Sequence, residues 1–224
     1  MGKASYCIVI DDSIVRELDK IAYKTGMSRS SLINVYLAEK LGLNTSRMRI
    51  RDTFSAVRDF VDSKFVMTEK TSEYTLAMKS LLNYKYNPSV RYTLELNEET
   101  SSSLGVLRVH FRTRSANLKD CIDEFFRMWQ QVETAFLSNY TDIPIKSSIT
   151  NGRYIREFRS PESSDLSSEE MGNAIGMYIN LLDTCMQQYF DNIDDMMLAE
   201  KLTENTYRAY LNSAYHFYKR KNDR

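Results

Sequence analysis

The sequence predicts an α+β protein in three parts: a short strand with two helices, a central mixed domain, and a closing pair of helices. Three observations carry that reading. Apolar residues switch between a period of two and steps of three and four along the chain. Gly26, Gly42 and the pair Asn151-Gly152 fall where such segments stop. Hydrophobic residues make up 42% of 224 residues with only 7 Gly and 3 Pro, the composition of a chain that folds. The expected divisions are residues 1–43, a basic linker and helix at 44–63, an α+β domain at 64–160 and a helical hairpin at 161–224.

In the first part, Tyr6-Cys7-Ile8-Val9-Ile10 alternates, sending Tyr6, Ile8 and Ile10 to one face and Ser5, Cys7 and Val9 to the other. Asp11 is placed to cap a helix through Ile14, Leu18, Ile21 and Ala22 that Gly26 ends. Ser28 caps a second helix through Leu32, Ile33, Tyr36, Leu37 and Leu41, which Gly42 ends. A unit this small cannot bury its own apolar face, so pairing with a second copy is expected.

That order, with Thr25-Gly26-Met27-Ser28-Arg29-Ser30 at the turn, resembles the ribbon-helix-helix family of bacterial, plasmid and phage DNA-binding repressors. The resemblance covers residues 4–42. It implies a homodimer whose two strands pair as an antiparallel ribbon and enter the major groove of double-stranded DNA. By position, the readers it implies are Ser5, Cys7 and Val9, with Lys3 just before them. Cys7 and Val9 offer mainly apolar contact, of the kind a thymine methyl accepts. The same resemblance puts Ser28, Arg29 and Ser30 at a helix start, where free N–H groups and the dipole favour a phosphate.

Beyond Gly42, Arg47, Arg49 and Arg51 alternate before Phe54, Val57, Phe60 and Val61 take up helical spacing. They read either as a solvated linker or as cations reaching the DNA backbone. In the central domain, Lys64 to Thr68 is a short strand and Glu73 to Tyr84 a helix through Leu76, Ala77, Leu81 and Leu82. Val90 to Leu96 and Val106 to Thr113 alternate as strands. Leu118, Ile122, Phe125, Trp129, Val132 and Phe136 mark a strong amphipathic helix, and Ile143 to Ile149 is extended. Asn151-Gly152 turns the chain tightly into a last strand, Arg153 to Phe158. The order is βαββαβ, as in ferredoxin-like domains. It is similar to the nickel-responsive regulators, which fuse a ribbon-helix-helix to such a domain. Their metal is not expected here, because His110 and His216 are the chain's two histidines.

Within that domain, Arg108, His110, Arg112 and Arg114 share a strand face opposite Leu107, Val109 and Phe111. Such a face could hold phosphates or a partner's acidic surface, or be neutralised by Glu95, Glu98 and Glu99. Ser160-Pro161-Glu162-Ser163-Ser164-Asp165 then breaks the pattern. Ser167 and Glu170 form a capping box, opening a helix with a wide stripe from Met171 to Ile193. Thr203 to Lys219 is its partner helix, closed by Lys219-Arg220-Lys221. The Met- and Tyr-rich stripe over 167–219 suits either a protein partner or packing on the α+β domain.

Charge is uneven although 30 basic and 30 acidic residues cancel: residues 161–206 carry ten acids and one base, while 1–60 carry ten bases and seven acids. The acidic stretch repels DNA and the first segment does not. Cys7, Cys121 and Cys185 are odd in number and widely spaced, as free thiols in a reducing cytoplasm are. No apolar run is long enough for a bilayer, so no membrane association is expected. No phosphate loop, nucleophile motif or metal cluster argues for an enzyme, and no cofactor is implied. The expectation is a cytoplasmic, dimeric or higher-oligomeric DNA-binding regulator, a repressor or an accessory factor of a plasmid or other mobile element. The alternative is an interaction protein that uses its first unit only to dimerise.

Overall fold

The structure, a computed structural model, describes residues 5, 7–43, 45–68, 72–85, 87–97, 103–141, 144–159, 166–213 and 217. Lys3, Tyr6, Glu98, Glu99, Ile143, Ser160 to Asp165, His216 and Lys219-Arg220-Lys221, all named in the sequence reading, lie outside these residues. The chain divides into two compact units, Met1–Arg49 and Ile50–Arg224.

In the first unit α1 spans Asp12–Thr25 and α2 spans Arg29–Leu41. Asp11 precedes α1 in extended conformation, but its side chain makes no capping bond; its carbonyl accepts from the Ile14 and Val15 amides instead. Ser28 does cap α2, its hydroxyl accepting from the Ser31 amide at 3.2 Å. Gly26 and Gly42 end the helices at φ 64° and 66°, where a Cβ would be strained. The strand expected over Tyr6 to Ile10 is not assigned: Cys7 to Ile10 carry no regular structure in the single chain. Among the described residues no neighbouring strand takes up the backbone hydrogen bonds of this segment. The buried cluster of this unit is small, Leu18, Ala22 and Leu32 with Ile21, Met27 and Ile33 packed against it.

Helix α3, Ser46–Phe60, opens on Thr45, whose hydroxyl accepts from the Met48 amide. Arg47, Arg49 and Arg51 therefore lie in a helix and not on a linker. Ile50, Phe54 and Val57 enter the second unit's core.

That core backs a six-stranded antiparallel sheet of β1 (Val66–Met67), β2 (Thr75–Leu81), β3 (Ser89–Leu96), β4 (Ser103–Phe111), β5 (Ser147–Ile149) and β6 (Arg153–Arg159). The spatial order is β1-β2-β3-β4-β6-β5. The expected βαββαβ, ferredoxin-like order does not form, because residues 75–81 are a strand where a helix was predicted. β5 and β6 do meet through Asn151-Gly152, both at positive φ, with Thr150 and Arg153 exchanging backbone bonds of 2.9 and 3.1 Å. This is the two-residue hairpin that the Asn-Gly pair specifies.

One sheet face is apolar and covered. Leu76, Met78 and Leu82, then Val90, Tyr92 and Leu94, then Leu107 and Val109, and Tyr154 and Phe158 are all buried on it. Helices α4 (Ala116–Leu137), α5 (Ser168–Asp191) and α6 (Met196–Leu211) share that cluster. The helical hairpin is thus built into the same core as the sheet. Its second helix begins earlier and ends earlier than the predicted 203–219: the Asp195 carboxylate caps it by accepting from the Leu198 amide at 3.0 Å. The capping box of Ser167 and Glu170 forms as expected.

One face of α5 carries glycines and polar residues that meet neighbouring elements. Gly172, Gly176, Asn180, Asp183 and Gln187 recur at three- and four-residue steps. A Cβ on Gly172 would sit 2.4 Å from the Ala56 Cβ and 2.6 Å from the Thr53 carbonyl, so only glycine lets α3 approach this closely. Asn180 accepts from the Asp62 amide and donates to the Phe60 carbonyl, closing the end of α3. Gln187 does the same for the end of β2, accepting from Asn83 and donating to Leu81. Among the described residues, no helix is long and apolar enough to cross a membrane.

Candidate nucleic-acid interface

The first unit leaves several large apolar side chains exposed. Val9 is fully exposed, Tyr23 is 91% exposed, and Ile8, Ile14, Leu37, Leu41 and Leu43 are each more than half exposed. Ser5, Cys7, Ile8 and Val9 are all exposed, so exposure does not separate the two expected faces of this segment. At the start of α2 the Ser28 hydroxyl is already engaged, within 3.2 Å of the Ser30 hydroxyl and 2.9 Å of the Ser31 hydroxyl. Arg29 is an exposed ion pair with Asp19 of α1, its Nη2 donating to Oδ2 at 2.6 Å. The hydrogen bond and then the charge of Asp19 hold the guanidinium's proton still more firmly. The pair links α1 to α2 beside the helix start.

Of the three arginines on α3, Arg47 and Arg51 are one turn apart and Arg49 points to another side, so they do not form a single stripe. Arg51 pairs with Asp52 at 3.1 Å.

On the sheet, Arg108 and His110 share the uncovered face of β4, as their alternation predicts. Arg112 and Arg114 lie past the end of the strand, although the Arg112 amide still donates to the Ser89 carbonyl. Arg108 is neutralised by Glu95 at 2.5 Å. His110 has different company: it lies directly opposite Arg91 on β3 and Arg153 on β6, and Arg91 in turn lies opposite Lys79 on β2. A row of basic residues therefore runs across four neighbouring strands, perpendicular to the one read along β4. Partial burial, then the charges of Arg91 and Arg153, push the His110 imidazole below its ordinary value. Lys79, Arg91 and Arg153 were not expected. No signal within one strand reports the register of its neighbours, and Lys79 stood in a segment read as helix.

Two buried carboxylates hold the core together. Asp183 accepts from Ser80 at 2.6 Å and Tyr92 at 2.7 Å, with the Lys64 ammonium 2.8 Å away. Glu133 takes both bonds of the Arg156 Nε, at 3.1 and 3.2 Å, and the Tyr154 hydroxyl. Burial first, and then these carboxylates, raise the phenols of Tyr92 and Tyr154. Both acids are essentially inaccessible, at 0% and 1% exposed, so they join elements and do not face a substrate. Cys185 is a buried thiol pushed up to about 12, which keeps it protonated and unreactive. Among the described residues no group of three or more His, Cys, Asp and Glu gathers to hold a metal ion.

Comparison of the chain with protein families, with curated proteins and with solved structures finds no match.

Proposed function

We propose that this protein is a homodimeric DNA-binding regulator, a repressor or mobile-element accessory factor that contacts double-stranded DNA through its first unit. The observation that supports this reading most is the exposed apolar surface of residues 7–43 around a cluster of three buried side chains. Such a surface marks an interaction site, and a second copy is the partner that the strand–helix–helix order implies. A ribbon formed between two copies places Ser5, Cys7 and Val9 outward together, and the strand–helix–helix order resembles the ribbon-helix-helix repressors. Ser28, Arg29 and Ser30 then supply the phosphate contact.

The occupied state of Arg29, already paired with Asp19, favours a second reading: a unit that dimerises the chain without gripping DNA. Sedimentation equilibrium of the full chain, with and without mixed-sequence duplex DNA, separates the two. A concentration-dependent dimer that binds duplex DNA with steep salt dependence supports the regulator. A dimer indifferent to DNA supports the assembly role, and a stable monomer sinks both.

A further inference from the structure

We propose that the uncovered face of the sheet is a second binding surface for DNA, holding the sugar–phosphate backbone along the row Lys79, Arg91, His110 and Arg153. This deepens the regulator reading and rests on it for the identity of the polyanion. The four residues are direct cross-strand neighbours on β2, β3, β4 and β6. Strands lie about 4.8 Å apart, so the row spans roughly 14 Å. One strand of a duplex carries a charge every ~3.4 Å of helix axis, so that length faces about four phosphates.

Like charges placed directly opposite one another destabilise a sheet. Here Lys79 and Arg91 are such a pair, Arg91 and Arg153 flank His110 on either side, and the local acids are committed elsewhere. Glu95 is held by Arg108, and Glu157 lies 3.2 Å from Arg159 and 3.7 Å from Lys146. Among the described residues Lys79, Arg91 and Arg153 have no acidic partner. A bound polyanion supplies what the protein leaves out.

The rest of the face distinguishes DNA backbone from other occupants. Aromatic side chains among the strands point into the core, so bases have no stacking platform and single-strand recognition of that type is not supported. Protein docking sites are depleted of charge at their centre and carry apolar anchors there. On this face Val66 and Leu81 sit toward the β1–β2 edge and Val106 and Ile155 lie further along β4 and β6, while the row itself is basic with the Thr93 and Ser89 hydroxyls beside it. Phosphate contacts need only such cations and hydroxyl donors.

The test is salt-dependent binding of mixed-sequence duplex DNA by the full chain, comparing Arg91→Gln/Arg153→Gln with Arg127→Gln/Lys201→Gln, which removes the same charge from exposed positions on α4 and α6. If the proposal holds, losing two phosphate contacts flattens the slope of log K against log salt by about 1.8. The control pair leaves the slope near that of the wild type. The Gln variants keep side-chain length and relieve repulsion, so their thermal midpoints should equal or exceed the wild type's, and DNA should raise the midpoint of the wild type more than theirs. Equal slopes for the two double variants, or equal loss in both, overturn the proposal. So does poly-glutamate binding as tightly as DNA with the same dependence on Arg91 and Arg153, which would mark an acidic protein as the occupant. Arg29→Ala isolates the first unit. A flattened slope from the sheet pair with none from Arg29→Ala keeps the sheet proposal and removes the N-terminal contact. The opposite result overturns the sheet proposal alone, and a wild-type chain that ignores DNA overturns both.

Discussion

Asp183 of α5 accepts the Tyr92 hydroxyl of β3 at 2.7 Å inside the core, and the same oxygen takes the Ser80 hydroxyl of β2 at 2.6 Å. One carboxylate thus joins a late helix to two strands roughly a hundred residues earlier, with Lys64 closing the charge from the edge. Asp183→Ala leaves a cation and two hydroxyls facing an apolar gap. Breaking a buried pair from one side costs about 3–5 kcal/mol, and Asp183→Asn, which can still accept both hydroxyls, should cost less. Equilibrium urea unfolding of the two variants checks the order; equal and small losses would show that the pair contributes little.

The same contact explains why β2 was read as a helix. Its inward residues are Leu76, Met78, Ser80 and Leu82, and the one polar member breaks the alternation because its partner is Asp183, invisible to any local window. On the other side Leu81 is 64% exposed, so that Leu76, Ala77, Leu81 and Leu82 imitate helical spacing. Where local chemistry decides, the sequence was legible: Gly26, Gly42, Ser28, the Ser167–Glu170 box and the Asn151-Gly152 hairpin stand where their φ preferences and hydroxyls place them. The start of α6 lies before the expected Thr203, at Met196, and the Asp195 carboxylate caps it. Of the basic sheet face, Arg108 and His110 could be read along β4. The row that joins His110 to Arg91 and Arg153 exists only once the register is known.

Gly172 meets Ala56 so closely that the α3–α5 crossing depends on it. Gly172→Ala forces the helices apart and should cost about 1–3 kcal/mol, the usual penalty of overpacking, despite alanine's higher helix propensity. Adding Ala56→Gly should recover only part of the loss, since the Thr53 carbonyl still stands 2.6 Å from the new Cβ. A double-mutant cycle by thermal unfolding reads this; full additivity of the two changes would refute the contact.

His110 makes stability depend on pH in a definite direction. In the unfolded chain its imidazole titrates near the ordinary value, about 6.5, and in the folded chain burial and the charges of Arg91 and Arg153 set it lower. Between the two values the unfolded chain binds a proton that the folded chain does not. Its contribution is therefore intact above the unfolded value and is lost as pH falls through the folded one. His110→Gln should flatten that part of the stability profile relative to the wild type, with His216 common to both. Urea midpoints across the range from about pH 5 to about pH 8 measure it; parallel profiles would show that the imidazole does not feel the row.

Arg29 and Asp19 give the sharpest test of how the first unit meets DNA. Both side chains are substantially exposed, so their pairing contributes little to folding and is open to competition by phosphate. If the start of α2 grips the backbone, Arg29→Ala weakens binding to every duplex and lowers the salt slope by about 0.9, one contact's worth. Asp19→Ala works the other way. It frees the guanidinium and removes a negative charge from beside the Ser28–Ser30 helix start, so affinity should rise without a change of sequence preference. Changing Val9, by contrast, should alter preference among sequences while leaving the salt slope intact, because an apolar contact releases no counterions. Fluorescence anisotropy titrations at several salt concentrations distinguish these effects. Unchanged binding in both Arg29→Ala and Asp19→Ala, in a chain that still dimerises, would leave the first unit as a dimerisation device alone.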